Sequence, residues 1–410
     1  MRPVRTRHQA SIRQRGAVLL IMLVIVVMGI AVALASSLGA TALKTVRQKK
    51  TAAVLSQARD ALIGYSGSQT PIAGAGYLLV PDTGWTATPE GNSEGTLGAR
   101  DISVIGRVPW KTIGIPPLRD GQGECLWYVV SGRFKNSPKT NDYFNWDTQG
   151  QIDVIDANGD SITNNVAALI VAPGSVLDSQ GRTLADPALA QCGGNYNARN
   201  YLDSYDSADS SVGEVNYFSG STNNLLAPNT SNKRFVMANN DHYNDRFLFV
   251  TVDDIFRPII RRSDFKTQIS NLMDNSDFRS QVETGHLETV AISGVKGTGN
   301  INCDTISNTS SKTFCKSWKE MLLLTQLPAP SPITIDSETT ADCTRILIFG
   351  GQRTAAQLRL TADDKSASAN YLEGANLAAF ATPIAASSNF SGASTFNADY
   401  PSMDLLRCLP

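Results

Sequence analysis

Histidine is scarce in this chain, and its scarcity removes several chemistries at once. Only His8, His242 and His286 occur in 410 residues. No CxxC and no Cys/His cluster is present, which speaks against a zinc site. A histidine general base would have to be His242, in the polar loop Asn239-Asn240-Asp241-His242, or His286, in Thr284-Gly285-His286-Leu287. Both settings read as ordinary surface. No GxSxG occurs, and Gly350-Gly351-Gln352-Arg353 lacks the third glycine of a dinucleotide fingerprint. The expectation is a protein that is not an enzyme and holds no cofactor.

Acidic residues are missing from the first 50 positions, which hold nine Lys and Arg. The remainder carries 27 basic and 37 acidic side chains, a charge of −10 against −1 for the whole chain. A mildly acidic body whose one dense basic cluster flanks an apolar run gives no footprint for nucleic acid. Internal repeats are absent as well.

What the chain does have is a run of twenty-seven residues, Ala17 to Leu43, without an ionisable side chain. As a helix it would be roughly 40 Å long, against a hydrocarbon core of about 30 Å, so one membrane span is expected there. The run is too long for the apolar core of a secretory signal peptide, about 7 to 15 residues. Arg2, Arg5, Arg7, Arg13 and Arg15 precede it, while Lys44, Arg47, Lys49 and Lys50 follow it, so charge counting barely orients the segment. Cysteines orient it better. All six (Cys125, Cys192, Cys303, Cys315, Cys343, Cys408) lie beyond the run, an even number that suits disulfides in an oxidising compartment. The leader is therefore placed in the cytoplasm and the body in the periplasm or outside the cell. Six cysteines allow fifteen pairings. Local order favours Cys125 with Cys192, Cys303 with Cys315 and Cys343 with Cys408.

The junction Arg13-Gln14-Arg15-Gly16-Ala17-Val18-Leu19-Leu20-Ile21 closes a basic leader with a glycine directly against the apolar run. It resembles the class III signal of type IV prepilins and pseudopilins. That resemblance implies cleavage after Gly16 by a prepilin peptidase, methylation of the new amino terminus at Ala17, and packing of the helix against other pilins or pseudopilins. Two places depart from the family, which usually has Phe at the first mature position and Glu at the fifth, where this chain has Ala17 and Ile21. Three later blocks also resemble large bacterial prepilin-like proteins, and in the same order. They are Ala61-Leu-Ile-Gly-Tyr65, the stretch VPWKTIGIPPLRDGQGECLWYVVSG from Val108 to Gly132, and VAALIVAPGSVLDSQGR from Val166 to Arg182. The missing glutamate at Ile21 resembles the large minor pseudopilin that caps type II secretion pseudopili. Separately, Gly29 and Ala33, one turn apart, would permit close approach of another membrane helix.

The resulting fold class is α+β: a long transmembrane-to-amphipathic helix followed by a β-rich globular head with long loops. Residues 1–16 form the leader and 17–43 the span. Residues 44–65 continue the helix, with Val54, Leu55, Ala58, Ala61 and Leu62 at spacings of three and four and a stop signal in Gly64 and the Ser66-Gly67-Ser68 that follows Tyr65. Residues 66–265 form the head, and 266–410 a second lobe with disulfides. Within the head, Ser66 to Arg100 reads as an irregular connection with at most a short strand at Tyr77–Val80. Strands are expected at Cys125–Val130, Val166–Val171 and Asn244–Val252, and a hairpin at Gln151–Ile155 and Ser161–Thr163. A helix capped by Asp253-Asp254 should follow.

Asp156, Asn158 and Asp160 in that hairpin suggest a weak calcium candidate, but Gly159 is misplaced for an EF-hand loop and the turn reading is preferred. Cys192 to Lys233 is a polar excursion whose tyrosines, Tyr196, Tyr201, Tyr205 and Tyr217, suit either a sugar- or protein-binding surface or a plain surface loop. The second lobe should hold a helix at Phe265–Phe278, a strand near Glu288–Ser293 and a short helix from Trp318 to Leu324. A turn at LPAPSP, a strand at Arg345–Phe349, a helix at Thr354–Leu360 and a tail pinned by Cys408 complete it. Together these readings point to a minor pilin or pseudopilin at the tip of a type IV pilus-like or type II secretion-like envelope filament. Before assembly it would sit in the inner membrane with a periplasmic head; afterwards it would stand at a periplasmic or cell-surface tip. The alternative is a single-pass anchored binding protein, such as an adhesin, outside any filament.

Overall fold

The computed structural model describes residues 15–84, 88–141, 143–178, 180–182, 186–187, 189–203, 233–240, 243–276, 279, 303–380 and 389–409. Side chains at 15–21, 29–40, 233, 326 and 328 are not described. The chain begins with one unbroken helix, α1 (Arg15–Ser68), of 54 residues, about 80 Å at about 1.5 Å per residue. Met22 to Met28 are all exposed, as are residues 41–50. Further along, Leu55, Ala58 and Leu62 are buried at the expected three- and four-residue spacing. The helix runs through Gly64 and ends in the Ser66-Gly67-Ser68 stretch, three residues past the expected Tyr65. An interior glycine costs only about 1 kcal/mol, and burial of Leu62 and Ser66 on either side holds the turn. The hydroxyls of Ser66 and Ser68 then bond back to the carbonyls of Ile63 and Tyr65. Among the described residues no helix is long and apolar enough to cross a membrane; of the run from 17 to 43, side chains are described only at 22–28 and 41–43.

The head is built on β1 (Val104–Arg107), β2 (Trp127–Val130), β3 (Ile152–Ile155), β4 (Ser161–Val166), β5 (Ala168–Ala172), β6 (Lys233–Val236) and β7 (Arg246–Val250). An antiparallel sheet runs β1-β2-β5-β7, and a smaller one runs β4-β3-β6 with β3 and β6 parallel. Side chains alternate faces along a strand, and here both faces are covered. Tyr128, Val130, Ala168 and Ile170 share a core with Leu55, Ala58 and Leu62 of α1. Trp127, Val129, Leu169 and Val171 share another with Ile152, Val154 and Phe235 of the smaller sheet. That double burial is why these strands read as solid apolar runs. At the strand positions expected near Tyr77–Val80 there is only a single bridge, Leu78 to Lys135, although Leu78, Leu79 and Val80 are buried.

Two short helices follow, α2 (Val252–Ile260) and α3 (Ser263–Met273). The cap of α2 is Thr251, whose hydroxyl accepts from Asp254 N while the Asp254 carboxylate accepts from Thr251 N. The acidic pair therefore lies inside the first turn instead of capping it. The later part holds α4 (Thr309–Trp318), β8 (Leu322–Ser331), β9 (Thr334–Ile335), β10 (Glu338–Thr339), β11 (Cys343–Phe349), α5 (Ala362–Ser366), α6 (Gly374–Phe380), β12 (Ser391–Gly392) and β13 (Leu405–Leu409). The order β13-β11-β8 makes an antiparallel sheet, and the tail is its edge strand.

Several expectations fail here for identifiable reasons. Leu322–Leu324 form strand because they pair with Phe349–Leu347; a short apolar run does not reveal its own period. The LPAPSP segment, up to Ser331, is the end of β8, an edge strand with a register shift at Cys343/Arg345, where prolines are tolerated. Thr354–Leu360 is not helical. Its Arg359 is buried, and α5 starts later at a Thr361–Asp364 capping box. The strand expected near 288–293 lies outside the described residues.

The two larger sheets share one buried cluster. At its centre Trp146, on a loop of the head, has ring centroids 4.6 Å from Trp318 and 6.1 Å from Phe349. Beside it Asp147 forms a fully buried ion pair with Arg359 at 3.1 Å.

Candidate functional site

The sequence Arg119-Asp120-Gly121-Gln122-Gly123-Glu124-Cys125 forms a tight loop against α1. Asp120 Oδ1 accepts from the amides of Gln122 (2.8 Å) and Glu124 (3.0 Å), and its Oδ2 accepts from Gly174 N at 3.1 Å. One carboxylate thus shapes the loop and ties it to the end of β5. Gly121 donates to Thr51 Oγ1 at 2.9 Å, and a Cβ on it would stand 2.3 Å from the Arg47 carbonyl oxygen. Only glycine allows the loop that close to the helix. Arg119 donates to the carbonyls of Gln191 and Cys192, beside the Cys125–Cys192 disulfide.

The third block acts in the same place. Arg182 donates to the carbonyls of Pro173 (3.2 Å), Gly174 (2.9 Å) and Tyr201 (3.2 Å), and pairs with Glu124 at 3.5 Å. Farther up, Arg59 bonds Phe249 O at 3.0 Å and pairs with Asp254 at 2.7 Å. The conspicuous motif residues are therefore fasteners that join α1, the sheet and the disulfide loop.

Where α1 leaves the head, a groove of about 1000 Å³ opens between the helix, this loop and β7. Leu55, Phe247 and Leu248 line it together with Lys44, Arg47 and Arg246. These three cations are exposed, and their side chains make no ion pair or hydrogen bond among the described residues. Among the described residues the only carboxylate in the lining is Asp120, already engaged by backbone amides.

Buried carboxylates elsewhere also serve the frame. Asp203 accepts from the amides of Asn244 and Asp245, while Asp245 accepts from Asp203 N at 2.9 Å. Burial pushes Asp203 up to about 6, against the amide and Gln180 hydrogen bonds and the Arg182 charge that lower it. Burial likewise raises Asp245 well above the ordinary range, helped by the Asp203 charge. Asp82, bonded to Gly91 N and Tyr196 OH, is pushed up by burial to about 6, and Asp404 to about 7.

Gly16, Ala17, Ile21, Gly29 and Ala33 lie along α1, with their side chains undescribed. All three disulfides join the pairs expected from local order, with Cα separations of 5.6, 5.8 and 5.3 Å. Asp156 accepts from the amides of Asn158 and Asp160, which accounts for the acidic spacing as a turn. Among the described residues no group of three or more His, Cys, Asp or Glu is placed to hold a metal. Tyr201 is 1% exposed and packs its ring, as Trp127 does, against the Arg107 guanidinium, while Tyr196 bonds Asp82. Neither is a free binding surface. Tyr205, Tyr217, His8, His242 and His286 lie outside the described residues.

No local pattern in the sequence marks the groove. Lys44 and Arg47 were visible as the end of the apolar run, but nothing linked them to Arg246, two hundred positions away. Comparison with protein families, with curated proteins and with solved structures returns no match for this chain.

Proposed function

We propose that this protein is a pilin-like subunit of an envelope filament, anchored in the inner membrane through residues 17–43 until a prepilin peptidase cuts after Gly16. The observation that carries the proposal is α1 itself. One helix keeps Met22–Met28 exposed on every side and then, without a break, buries Leu55, Ala58 and Leu62 under a sheet. Exposed apolar side chains all round a helix need a nonaqueous neighbour. A lipid bilayer before assembly and other pilin helices afterwards would supply it.

The proposed place of the subunit is the filament tip. Each arriving subunit brings a charged amino terminus into an apolar helix bundle, where an unpaired charge is costly. With Ile21 at the fifth mature place, this chain has no carboxylate there to offer a neighbour, and a subunit at the tip needs none. A head that carries two larger sheets on one shared core also suits a tip, where one side is free, better than a repeating shaft. The role is thus minor, initiating and structural rather than enzymatic, with no nucleic-acid partner.

Intact mass of the protein purified from membranes tests this. The expected species begins at methylated Ala17, and Gly16→Glu should abolish that processing. A species beginning at Met1, or normal processing of Gly16→Glu, would overturn the filament reading and leave an anchored binding protein.

A further inference from the structure

The groove at the base of the head has a composition that the filament reading does not use. It combines an apolar floor, Leu55, Phe247 and Leu248, with three cations, Lys44, Arg47 and Arg246. None of the three is neutralised among the described residues, and the one described carboxylate in the lining, Asp120, is held by the amides of Gln122, Glu124 and Gly174. A site of that kind matches a molecule that is anionic at one end and apolar beyond it.

The geometry points to a diacyl phospholipid with a net anionic headgroup, bound with its phosphate among Lys44, Arg47 and Arg246 and its chains along the apolar half of α1. This rests on the membrane reading above. The apolar run, residues 17–43, rises about 40 Å along a helix, which covers the roughly 30 Å hydrocarbon core and leaves its ends at headgroup level. Lys44 and Arg47 follow its last residue, Leu43, by about 2 and 6 Å of helix rise. Leu43, the last residue of the apolar run, lines the lower end of the same groove. Arg246 reaches the site from β7, so the folded head, and not the helix alone, completes it. The bound lipid would seat the base of the head on the periplasmic leaflet and hold α1 upright for assembly.

The test uses the mature full-length chain in nanodiscs of phosphatidylcholine containing a minor fraction of phosphatidylglycerol. Lipids retained after release from the disc are counted by native mass spectrometry. One retained phosphatidylglycerol is expected, enriched over its bulk fraction by up to about a hundredfold, since each of the three cations near an anionic headgroup adds about fivefold. Arg47→Glu combined with Arg246→Glu should remove the enrichment, and Arg47→Gln with Arg246→Gln should reduce it. Near-UV circular dichroism confirms that the head is folded in each variant.

Equal retention of the two lipids, or unchanged enrichment in the charge-reversed variant, would overturn the proposal. So would loss of the lipid on adding millimolar glycerol phosphate, which would assign the site to a soluble phosphate, or a second copy of the chain held in the groove without lipid. Failure of the chain to co-elute with the disc would defeat the membrane reading and this proposal together, whereas co-elution without lipid preference defeats the lipid site alone.

Discussion

The two halves of α1 share a backbone conformation and differ in what surrounds them. From Met22 to Met28 every side chain is exposed and apolar. From Leu55 to Leu62 the apolar residues are fewer, yet each of the three on the inner stripe is buried. Apolar content alone therefore does not place a residue in the core. The second half is fixed to the head by a stripe against the sheet, by Arg59 on Phe249 O and Asp254, and by Gly121 against Arg47. The first half has no such neighbour among the described residues.

The largest effect expected from this contrast is on core packing. Leu62→Ala should lower the unfolding free energy of the protein in detergent by about 4 kcal/mol, the cost of a cavity in a tight core. Val24→Ala on the same helix should change it by less than about 0.5 kcal/mol. Denaturation followed by tryptophan fluorescence measures both, and equal losses would erase the distinction between the halves.

A second difference is ionic. Buried carboxyls with raised pKa values lie in the head and its second sheet. Asp203 rises from 3.8 to about 6, and Asp82 and Asp404 move the same way. The folded state holds these protons more tightly than the unfolded one, so the stability they contribute is complete below about pH 4 and is lost as pH rises through about 6 to 7. Asp203 accounts for about 3 kcal/mol of that loss at most, at about 1.4 kcal/mol per unit. Unfolding midpoints at pH 4.5, 6 and 8 should fall in that order, and Asp203→Asn should flatten the slope. A midpoint that rises over this range would contradict the assignment.

The smallest effect concerns the join between loop and helix. Gly121→Ala pushes a methyl against the Arg47 carbonyl and should cost about 2 kcal/mol, within the range for overpacking. Proteolysis should then cut α1 faster between Lys44 and Lys50 than in the parent, while the core midpoint shifts little. Unchanged cleavage would show that the loop does not hold the helix.

Much of this was legible from the residues because it depends on neighbours in sequence. The apolar run, the helical stripe at Leu55, Ala58 and Leu62, the strands at Trp127–Val130 and Ala168–Ala172, and the hairpin around Asn158 all follow from local periodicity and turn chemistry. Pairing the cysteines by local order also succeeded. The failures share a cause. Leu322–Leu324 became strand because Leu347–Phe349 lay alongside, Arg359 was drawn into the interior by Asp147, and Ser331 could pair with Cys343 past two prolines only because β8 is an edge. Arg246 joined Lys44 and Arg47 because β7 packs beside α1. By itself the sequence determined the long helix, its apolar first half and the face of its second half, since those depend on residues within a turn or two. Only the tertiary structure decided what covers that face and which distant cations gather at its base, because contacts between segments hundreds of residues apart leave no periodic trace in either one.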